Sequence, residues 1–204
     1  MTSADAPLRN PNHPKKGAAI KVDPITDLKA IKRIKKLLSD HPRDLCLFTL
    51  GINTAYRANE IVSITIGQVA HLKAGDCLSI KQCKNKKYRP TLLNEAVIKT
   101  LGPWLAVHPN PGPASPLFIS AKTAQALKSV TLTEMVKRWC AEAGLRGNYG
   151  SHTLRKTWGY HQRKTYGKPT ALLTQAYGHS HEGQTLDYLS IRPEEIDDLY
   201  VGAL

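Results

Sequence analysis

Long apolar segments and paired cysteines are both absent from this chain of 204 residues. No run of about eighteen or more apolar residues occurs, so the sequence predicts no transmembrane helix. The first residues, MTSADAPLRNPNHPKKGAAIK, include no apolar stretch of the kind that a secretory signal needs. No Cys-x-x-Cys pair occurs among the cysteines, which predicts reduced, mostly buried thiols in a cytosolic protein and no zinc site. They are Cys46, Cys77, Cys83 and Cys140.

Acidic residues are also scarce, because 16 Asp and Glu stand against 29 Lys and Arg, for a formal net charge of +13. Such an excess of positive charge predicts a polyanionic partner. A ribosomal or other RNA-binding protein would have the same balance, so charge alone indicates nucleic acid and no more. The length, with an apolar content of 41%, fits one medium domain or a domain with a small extension.

The N-terminal part divides into an arm and a helix. Residues 1–22 lack a periodic apolar pattern, which predicts a flexible basic arm. Asp23 and Pro24 fit an N-cap and a first helical residue. The apolar half of the predicted helix holds Leu28, Ile31, Ile34, Leu37 and Leu38. Its other half is basic, and we expect it either to contact phosphates or to be solvated. The basic residues are Lys29, Lys32, Arg33 and Lys36.

The middle of the chain changes its apolar period to two between residues 69 and 92. The segments VAHLKAG, DCLSIKQCK and KYRPTLL predict three short strands, with turns at Gly75-Asp76 and at residues 84–87. Helices are predicted at 41–55, from Asn59, at 94–107, from Thr131 or Thr133 to Ala143, from His152, and from Pro169 to Ala176. The predicted fold class is therefore α+β, mostly helical with a small three-stranded antiparallel sheet.

The clearest chemistry lies between residues 151 and 191. His152 and Arg155 are three residues apart on a predicted helix, so both side chains can donate hydrogen bonds to one phosphate. Tyr188 supplies an oxygen nucleophile that can form a phosphoester. Nine residues of continuous helix turn roughly 900°, which would place His179 and Tyr188 on opposite faces. They can meet at one phosphate only if the helix breaks, and Gly183 is the predicted break.

His152-x-x-Arg155, Gly178-His179 and a tyrosine nine residues later resemble the catalytic domain of the tyrosine recombinases, the phage-integrase family. The resemblance extends over roughly residues 24 to 200. Arg57 with Glu60 is similar to the first-arginine box of that family, where glycine normally stands in place of Ala55. The lysine-rich turn at 84–87 resembles the turn that carries the family's catalytic lysine, with Lys84 the better match and Lys86 the alternative.

The resemblance implies an enzyme that cuts and rejoins DNA strands through a 3′-phosphotyrosyl link at Tyr188, without metal, cofactor or ATP. It implies that Arg57 and Arg155 clamp the non-bridging phosphate oxygens and that His179 donates a further hydrogen bond. His152 would position the phosphate or help to take the tyrosine proton. By the same resemblance, Lys84 would protonate the leaving 5′-oxygen, and Glu60 would hold neighbouring side chains in place.

The implied partners are double-stranded DNA and further copies of the chain, which would form a tetramer on DNA. The resemblance also allows an accessory DNA-bending protein. No membrane association is expected. The expected location is the cytoplasm, with the nucleoid. Residues 23–204 would form the catalytic domain without a separate N-terminal domain, as in the fimbrial DNA invertases. Two alternatives remain, a type IB topoisomerase and a catalytically silent DNA-binding regulator. The DNA-binding candidates are Lys29, Lys32, Arg33, Lys36, Lys86 and Lys87.

Overall fold

The computed structural model describes residues 21–81, 88–189 and 200–201. Helices form more than half of these residues and a small antiparallel sheet is the other regular element, which confirms the α+β, mostly helical fold. The elements are α1 Leu28–Leu37, α2 Pro42–Asn53, α3 Ala58–Val62, α4 Ile66–Val69, β1 Cys77–Lys81, β2 Tyr88–Leu92, α5 Glu95–Ala106, α6 Ser129–Glu142, α7 Ser151–Lys164, α8 Thr170–Tyr177 and α9 Glu182–Leu189. No helix in the described ranges is long and apolar enough to cross a membrane.

Helix α2 lies at the centre of the apolar core, because it packs against both α5 and α7. Its residues 46–51 are all buried. Phe48 meets Trp139 of α6 edge-on, with 5.9 Å between the ring centroids. Gly51 allows the close approach of α7, since a Cβ at this position would lie 2.6 Å from Leu154 Cδ1. The helix that carries His152 and Arg155 is therefore fixed directly to the core.

The described part of the sheet has two strands, so the prediction of three is wrong. Strands β1 and β2 pair antiparallel. The segment predicted as the first strand, 69–75, instead begins with the last residue of the short helix α4, which Thr65 and Gln68 begin with a reciprocal capping box. A turn then closes where the Asp76 carboxylate accepts a hydrogen bond from Lys73 N at 2.7 Å. The lysine-rich turn between the strands lies outside the described residues.

Helix α1 begins at Leu28, four residues beyond the predicted Pro24, because Asp27 and not Asp23 is its N-cap. The Asp27 carboxylate accepts hydrogen bonds from the backbone N–H groups of Lys29 at 2.7 Å and Ala30 at 3.2 Å. Asp23 instead pairs with Asn148, donating its N–H to the Asn148 carbonyl and accepting from Asn148 N. A partner 125 residues away therefore decides which of two aspartates caps the helix.

The apolar half of α1 is also narrower than predicted. Ile31 and Ile34 are buried, as is Leu38 just beyond the helix, whereas Leu28 and Leu37 are about half exposed. Helix α6 likewise begins at Ser129, before the predicted Thr131 or Thr133. Helices α5, α7 and α8 begin close to where their sequence signals predict, after Asn94, Gly150 and Pro169.

Replacing Asp27 by Ala is expected to lower the free energy of unfolding by about 1 kcal/mol, because two N–H groups of the first turn lose their acceptor. Asp27→Asn keeps an N-cap acceptor and should cost much less. Asp27→Asn also removes the ion pair between Asp27 and Arg33, but this pair is exposed and its charged atoms are 3.8 Å apart, so it contributes little. Urea denaturation of both variants measures the difference. Equal losses in the two would contradict a capping role.

Candidate active site

Three predicted site residues meet around the ring of a fourth, Tyr188, brought there by α7, α9 and the end of α8. The Tyr188 hydroxyl lies 3.5 Å from His152 Nδ1, at the outer limit of hydrogen bonding. The Arg155 guanidinium carbon lies 5.8 Å from the Tyr188 ring centroid. The His179 ring is edge-on to the same ring, with 5.6 Å between centroids. The grouping predicted for these four side chains is therefore present in the fold.

The break that brings His179 next to Tyr188 precedes Gly183, so the predicted position of the break is wrong. Helix α8 ends at Tyr177, and Gly178 follows in the left-handed conformation with φ of 64°. Helix α9 begins again at Glu182, and Gly183 is its second residue. The N–H groups of Gly178 and His179 close the end of α8 on the carbonyls of Gln175 and Thr174. Glycine is needed at 178 because a side chain there would be strained.

Arg155 is a buried cation with fixed orientation, only 2% exposed. Its Nη2 donates to the Tyr177 carbonyl at 2.8 Å, and its Nη1 donates to the Ala55 carbonyl. The guanidinium also lies over the Tyr177 ring, 4.5 Å from the centroid. Burial lowers the pKa of Arg155 to about 10, so it remains charged at neutral pH.

Tyr188 and His152 are both neutral at neutral pH. Burial raises the pKa of the Tyr188 hydroxyl to about 12, although the charges of Arg155 and Arg57 oppose this rise. Burial also lowers the pKa of His152, and the nearby cations Arg155, Arg57 and Lys156 lower it further. A neutral imidazole whose proton is on Nε2 can accept the tyrosine proton at Nδ1.

His179 is held by stacking and by a hydroxyl pair. Its ring is stacked on Tyr177, with 5.0 Å between the centroids and 18° between the planes. Its Nδ1 lies 2.9 Å from Thr185 Oγ1, which is buried and 2.9 Å from Thr174 Oγ1. Burial, followed by the charges of Arg155 and the other site arginines, lowers the pKa of His179 to about 4. The ring is therefore neutral and oriented, with Nε2 as the nitrogen opposite the Thr185 contact.

The low pKa of His179 predicts a loss of stability on acidification. The unfolded chain has the ordinary histidine pKa near 6.5, so between about pH 6.5 and pH 4 only the unfolded state takes up this proton. The contribution of His179 to the free energy of unfolding is complete above pH 6.5 and decreases as the pH falls towards 4. Unfolding free energies at pH 7 and pH 5 should therefore differ less in His179→Gln than in the unsubstituted protein. An equal difference in both proteins would contradict the depressed pKa.

Arg57 and Glu60 form the other side of the site. Glu60 is 3% exposed and accepts from Arg57 twice, from the backbone N at 2.6 Å and from Nη1 at 3.1 Å. This pair begins helix α3 and leaves the Arg57 side chain 38% exposed. Arg57 lies two residues after Ala55, whose carbonyl accepts from Arg155, and its charge lowers the pKa of both His152 and His179.

Arg89 is a residue of this region that the sequence reasoning missed. It is buried in β2, and its Nη2 lies 2.7 Å from Glu60 Oε2, which also accepts from the Arg57 backbone N. Its Nη1 donates to the carbonyls of Ala55 and Ala176, each at 3.0 Å. The available signal was an arginine at an inward position of a strand whose neighbours, Tyr88 and Pro90, face outward.

Lys156 was also missed, although it directly follows Arg155. It is 6% exposed, and its Nζ lies 5.3 Å from the centroid of the Tyr188 ring. Burial lowers its pKa. Two successive residues of α7, Arg155 and Lys156, therefore each place a cation near the Tyr188 ring.

The remaining predicted residues lie away from this cluster or outside the described ranges. Lys29, Lys32, Arg33 and Lys36 are exposed on α1, which packs on α2 and α6. Arg33 also donates from Nε to the Ala143 carbonyl at 3.2 Å, so it helps to attach α1 to the end of α6. Whether these four contact DNA stays a prediction. Lys84, Lys86 and Lys87 lie in 82–87, which the structure does not describe.

This chain has relatives among known proteins. The sequence model of the phage integrase family matches residues 25–195. The chain is 31% identical to a probable integrase/recombinase, YoeC of Bacillus subtilis, over 83% of this chain and 90% of that protein. It is 29% identical to the tyrosine recombinase XerC of Caldanaerobacter subterraneus over 81% of this chain, but spans only 48% of that protein.

Solved structures of recombinases have a similar fold. The XerA recombinase superposes with a TM-score of 0.71 at 18% identity, over 92% of this chain and 65% of that one. The XerH site-specific recombinase bound to a palindromic difH substrate gives a TM-score of 0.71 at 21% identity, over 91% of this chain and 54% of that one. At these identities the likeness is one of fold.

Proposed function

Because this chain belongs to the phage integrase family and has the fold of a tyrosine recombinase catalytic domain, we propose that it cuts and rejoins DNA strands at specific sites through a 3′-phosphotyrosyl link at Tyr188. The observation that carries the proposal is the meeting of the Tyr188 hydroxyl with His152 Nδ1 beside the fixed cation Arg155. A nucleophile, a proton acceptor and an oxyanion-binding group are the parts that phosphoryl transfer needs.

The proposed binding site for the scissile phosphate consists of Arg57, Arg155 and His179. A phosphodiester resists attack because its anionic oxygens repel the nucleophile and gain further negative charge in the transition state. Two guanidinium groups held in place would stabilise that charge without reorganisation. The neutral His179 would add a hydrogen bond from Nε2–H, with Thr185 holding its other nitrogen. The burial of Arg155 supports this role, since interactions strengthen where water is excluded.

The proposed first step forms one phosphorus–oxygen bond and breaks another. The Tyr188 oxygen attacks the phosphorus, its proton passes to His152 Nδ1, and the bond between phosphorus and the 5′-oxygen breaks. Of the two roles predicted for His152, the contact at 3.5 Å favours that of base. A bound phosphate would not by itself lower the high pKa of Tyr188, so proton removal must accompany attack.

The leaving 5′-oxygen requires a proton, which we assign to Lys84, with Lys86 as the alternative. Both lie outside the described residues, between β1 and β2. Strand β2 is attached to the site through Arg89 and Glu60, which supports a lysine from this loop as the acid. Rejoining reverses the chemistry, since a 5′-hydroxyl attacks the phosphotyrosyl phosphorus and the Tyr188 oxygen regains its proton.

The proposed partner is double-stranded DNA, bound by several copies of the chain, with a tetramer as the working assembly. XerH and lambda integrase, whose folds are similar, have been solved bound to DNA sites. We also propose that residues 1–22 are a basic arm, that 23–204 form the catalytic domain, and that the protein acts at the nucleoid, with or without an accessory DNA-bending protein. The exposed cations of α1 and the lysines of the loop between the strands would contact phosphates.

The proposal is tested by mixing the protein with a supercoiled plasmid library at low salt and denaturing it with detergent. Low salt favours sequence-independent phosphate contacts. The expected product is DNA attached covalently to protein, with the nucleotide on Tyr188 after nuclease and protease digestion. Strand transfer between two duplexes separates a recombinase from a topoisomerase, which would only relax supercoils. DNA binding without any adduct would instead support a silent regulator.

A further inference from the structure

We propose that Arg89 is a positioning residue for the reaction at Tyr188, holding the loop that carries Arg57 against the end of the helix that precedes His179. This inference rests on the proposed function, because it assigns a role within that reaction. It concerns a residue that makes no contact with the Tyr188 ring or with the proton acceptor. Its partners instead belong to the two halves of the candidate site.

The contacts of Arg89 join three separate segments of the chain. Its Nη1 donates to Ala55 O, two residues before Arg57, and to Ala176 O, three residues before His179. Its Nη2 donates to Glu60 Oε2 at 2.7 Å, an oxygen that also accepts from the Arg57 backbone N, while Oε1 accepts from Arg57 Nη1. The guanidinium group of Arg89 thus joins the Arg57 loop to the end of α8, next to the bridge that Arg155 makes between Ala55 O and Tyr177 O.

Arg155 is the buried arginine beside the Tyr188 ring, and Arg89 lies in a different environment. Arg89 is 8% exposed, and its guanidinium carbon lies 4.8 Å from the centroid of the Tyr56 ring. Both terminal nitrogens already donate within the protein. Its Nε is buried and has no hydrogen-bond partner among the described residues. We therefore assign Arg89 a positioning role from its location beside Tyr56 and its bond to Glu60, and not from its burial, which Arg155 shares.

The Ala55 carbonyl connects Arg89 to Arg155, because both guanidinium groups donate to it. Two like charges are thereby held on one oxygen, and the Glu60 carboxylate supplies the compensating charge on the far side of Arg89. Without Arg89, Ala176 O would lose this donor and Ala55 O would keep only Arg155. The end of α8 and the Arg57 loop would then be joined by Arg155 alone, through Tyr177 O and Ala55 O.

Only arginine has the fork of donors that this junction uses. A lysine at 89 could pair with Glu60, but its single ammonium cannot also span both carbonyls. Arg89→Lys therefore retains the charge and removes the positioning. Arg89→Met removes both while keeping a side chain of similar width. The contrast between these two variants separates electrostatic compensation of Glu60 from geometry.

The experiment measures DNA affinity and the single-turnover rate of adduct formation for the unsubstituted protein, Arg89→Lys and Arg89→Met, well below their unfolding temperatures. A matched control is Arg43→Met, because Arg43 also bridges a buried carboxylate, Asp44 at 2.7 Å, and a backbone carbonyl, Ile119 O at 2.8 Å, away from the site. A displacement of about 1 Å at a reacting centre can cost about 100-fold in rate. We expect a loss of that order in both Arg89 variants, with affinity within about twofold and Arg43→Met unaffected.

A second readout requires no DNA. The charge of Arg89 is among those that lower the pKa of His179, whereas the pKa of His152 responds to Arg155, Arg57 and Lys156. Histidine titration by NMR should therefore show a higher pKa for His179 in Arg89→Met and an unchanged pKa for His152. Arg43→Met should change neither.

The outcomes separate this inference from the function on which it rests. If the unsubstituted protein forms no adduct, the proposed function fails and the role of Arg89 with it. If the unsubstituted protein forms the adduct and both Arg89 variants form it equally fast, the role of Arg89 alone is overturned. The same holds if Arg43→Met slows the reaction as much, since the loss would then reflect general destabilisation. A selective loss of rate with retained affinity supports the inference.

Discussion

Tyr188→Phe is expected to abolish the covalent protein–DNA adduct while leaving DNA affinity within about twofold. The substitution removes one oxygen, and the remaining ring keeps its edge contacts with Tyr177 and His179. The ring also keeps the cations of Arg155 and Lys156 beside it. No other atom of the residue can form a phosphoester, so the expected loss is complete. The measurement is the detergent-stable adduct, together with a gel-shift titration of the same samples.

The matched control for this prediction is Tyr166→Phe, because Tyr166 is 61% exposed and lies just beyond the end of α7. It should form the adduct at the unsubstituted rate. An adduct that persists in Tyr188→Phe would assign the nucleophile to another residue. Tyr177 is the nearest alternative, but burial raises its pKa, and its hydroxyl donates to the Arg155 carbonyl at 3.0 Å.

Glu60→Ala is expected to lower the free energy of unfolding by about 3–5 kcal/mol, the usual cost of removing one partner from a buried ion pair. Glu60 is 3% exposed and bonded to both Arg57 and Arg89. Loss of Glu60 leaves the Arg89 guanidinium buried without its counter-ion. The cation of Arg155 is close by, because both arginines donate to the Ala55 carbonyl. Chemical denaturation of the variant measures the change.

The double variant Glu60→Ala, Arg89→Met tests the cause of that loss. Because neither charge remains buried alone, its destabilisation should be smaller than the sum of the two single losses. Glu134→Ala removes an exposed pair with Lys137 and should leave the unfolding midpoint unchanged. Additive losses in the double variant would contradict the assignment of the cost to an uncompensated charge.

Elements bounded by strong local signals could be predicted from the sequence. Asn94 begins α5, where its side chain accepts from Val97 N, and Gly178 ends α8 in the left-handed conformation. The group of His152, Arg155, His179 and Tyr188 was also predictable, because the spacing matches a known family pattern. His179 and Tyr188 can meet only because the helix breaks between them. The sequence predicted that a break is required, but it predicted the wrong position for the break.

The failed predictions depend on contacts between distant residues or on backbone atoms. An alternation of period two at 69–75 fits a strand, but Val69 ends the capped helix α4 and a turn follows it. Asp23 and Asp27 are both suitable caps, and the contact of Asp23 with Asn148 selects the second. Two of the three acceptors of Arg89 are carbonyl oxygens, which every residue has and which therefore leave no trace in the sequence.

The oxygen of Ala55 serves two arginines, and this affects how variation at position 55 can be interpreted. The acceptor is part of the main chain, so no side-chain substitution deletes it, and alanine scanning cannot detect it. The methyl group of Ala55 is 4% exposed and packs with Leu173 and Tyr177, so a mutational scan would report only a limit on side-chain size. Glycine and alanine should therefore be interchangeable there. An amide-to-ester replacement at the 55–56 bond, which weakens the carbonyl as an acceptor, would address the oxygen itself.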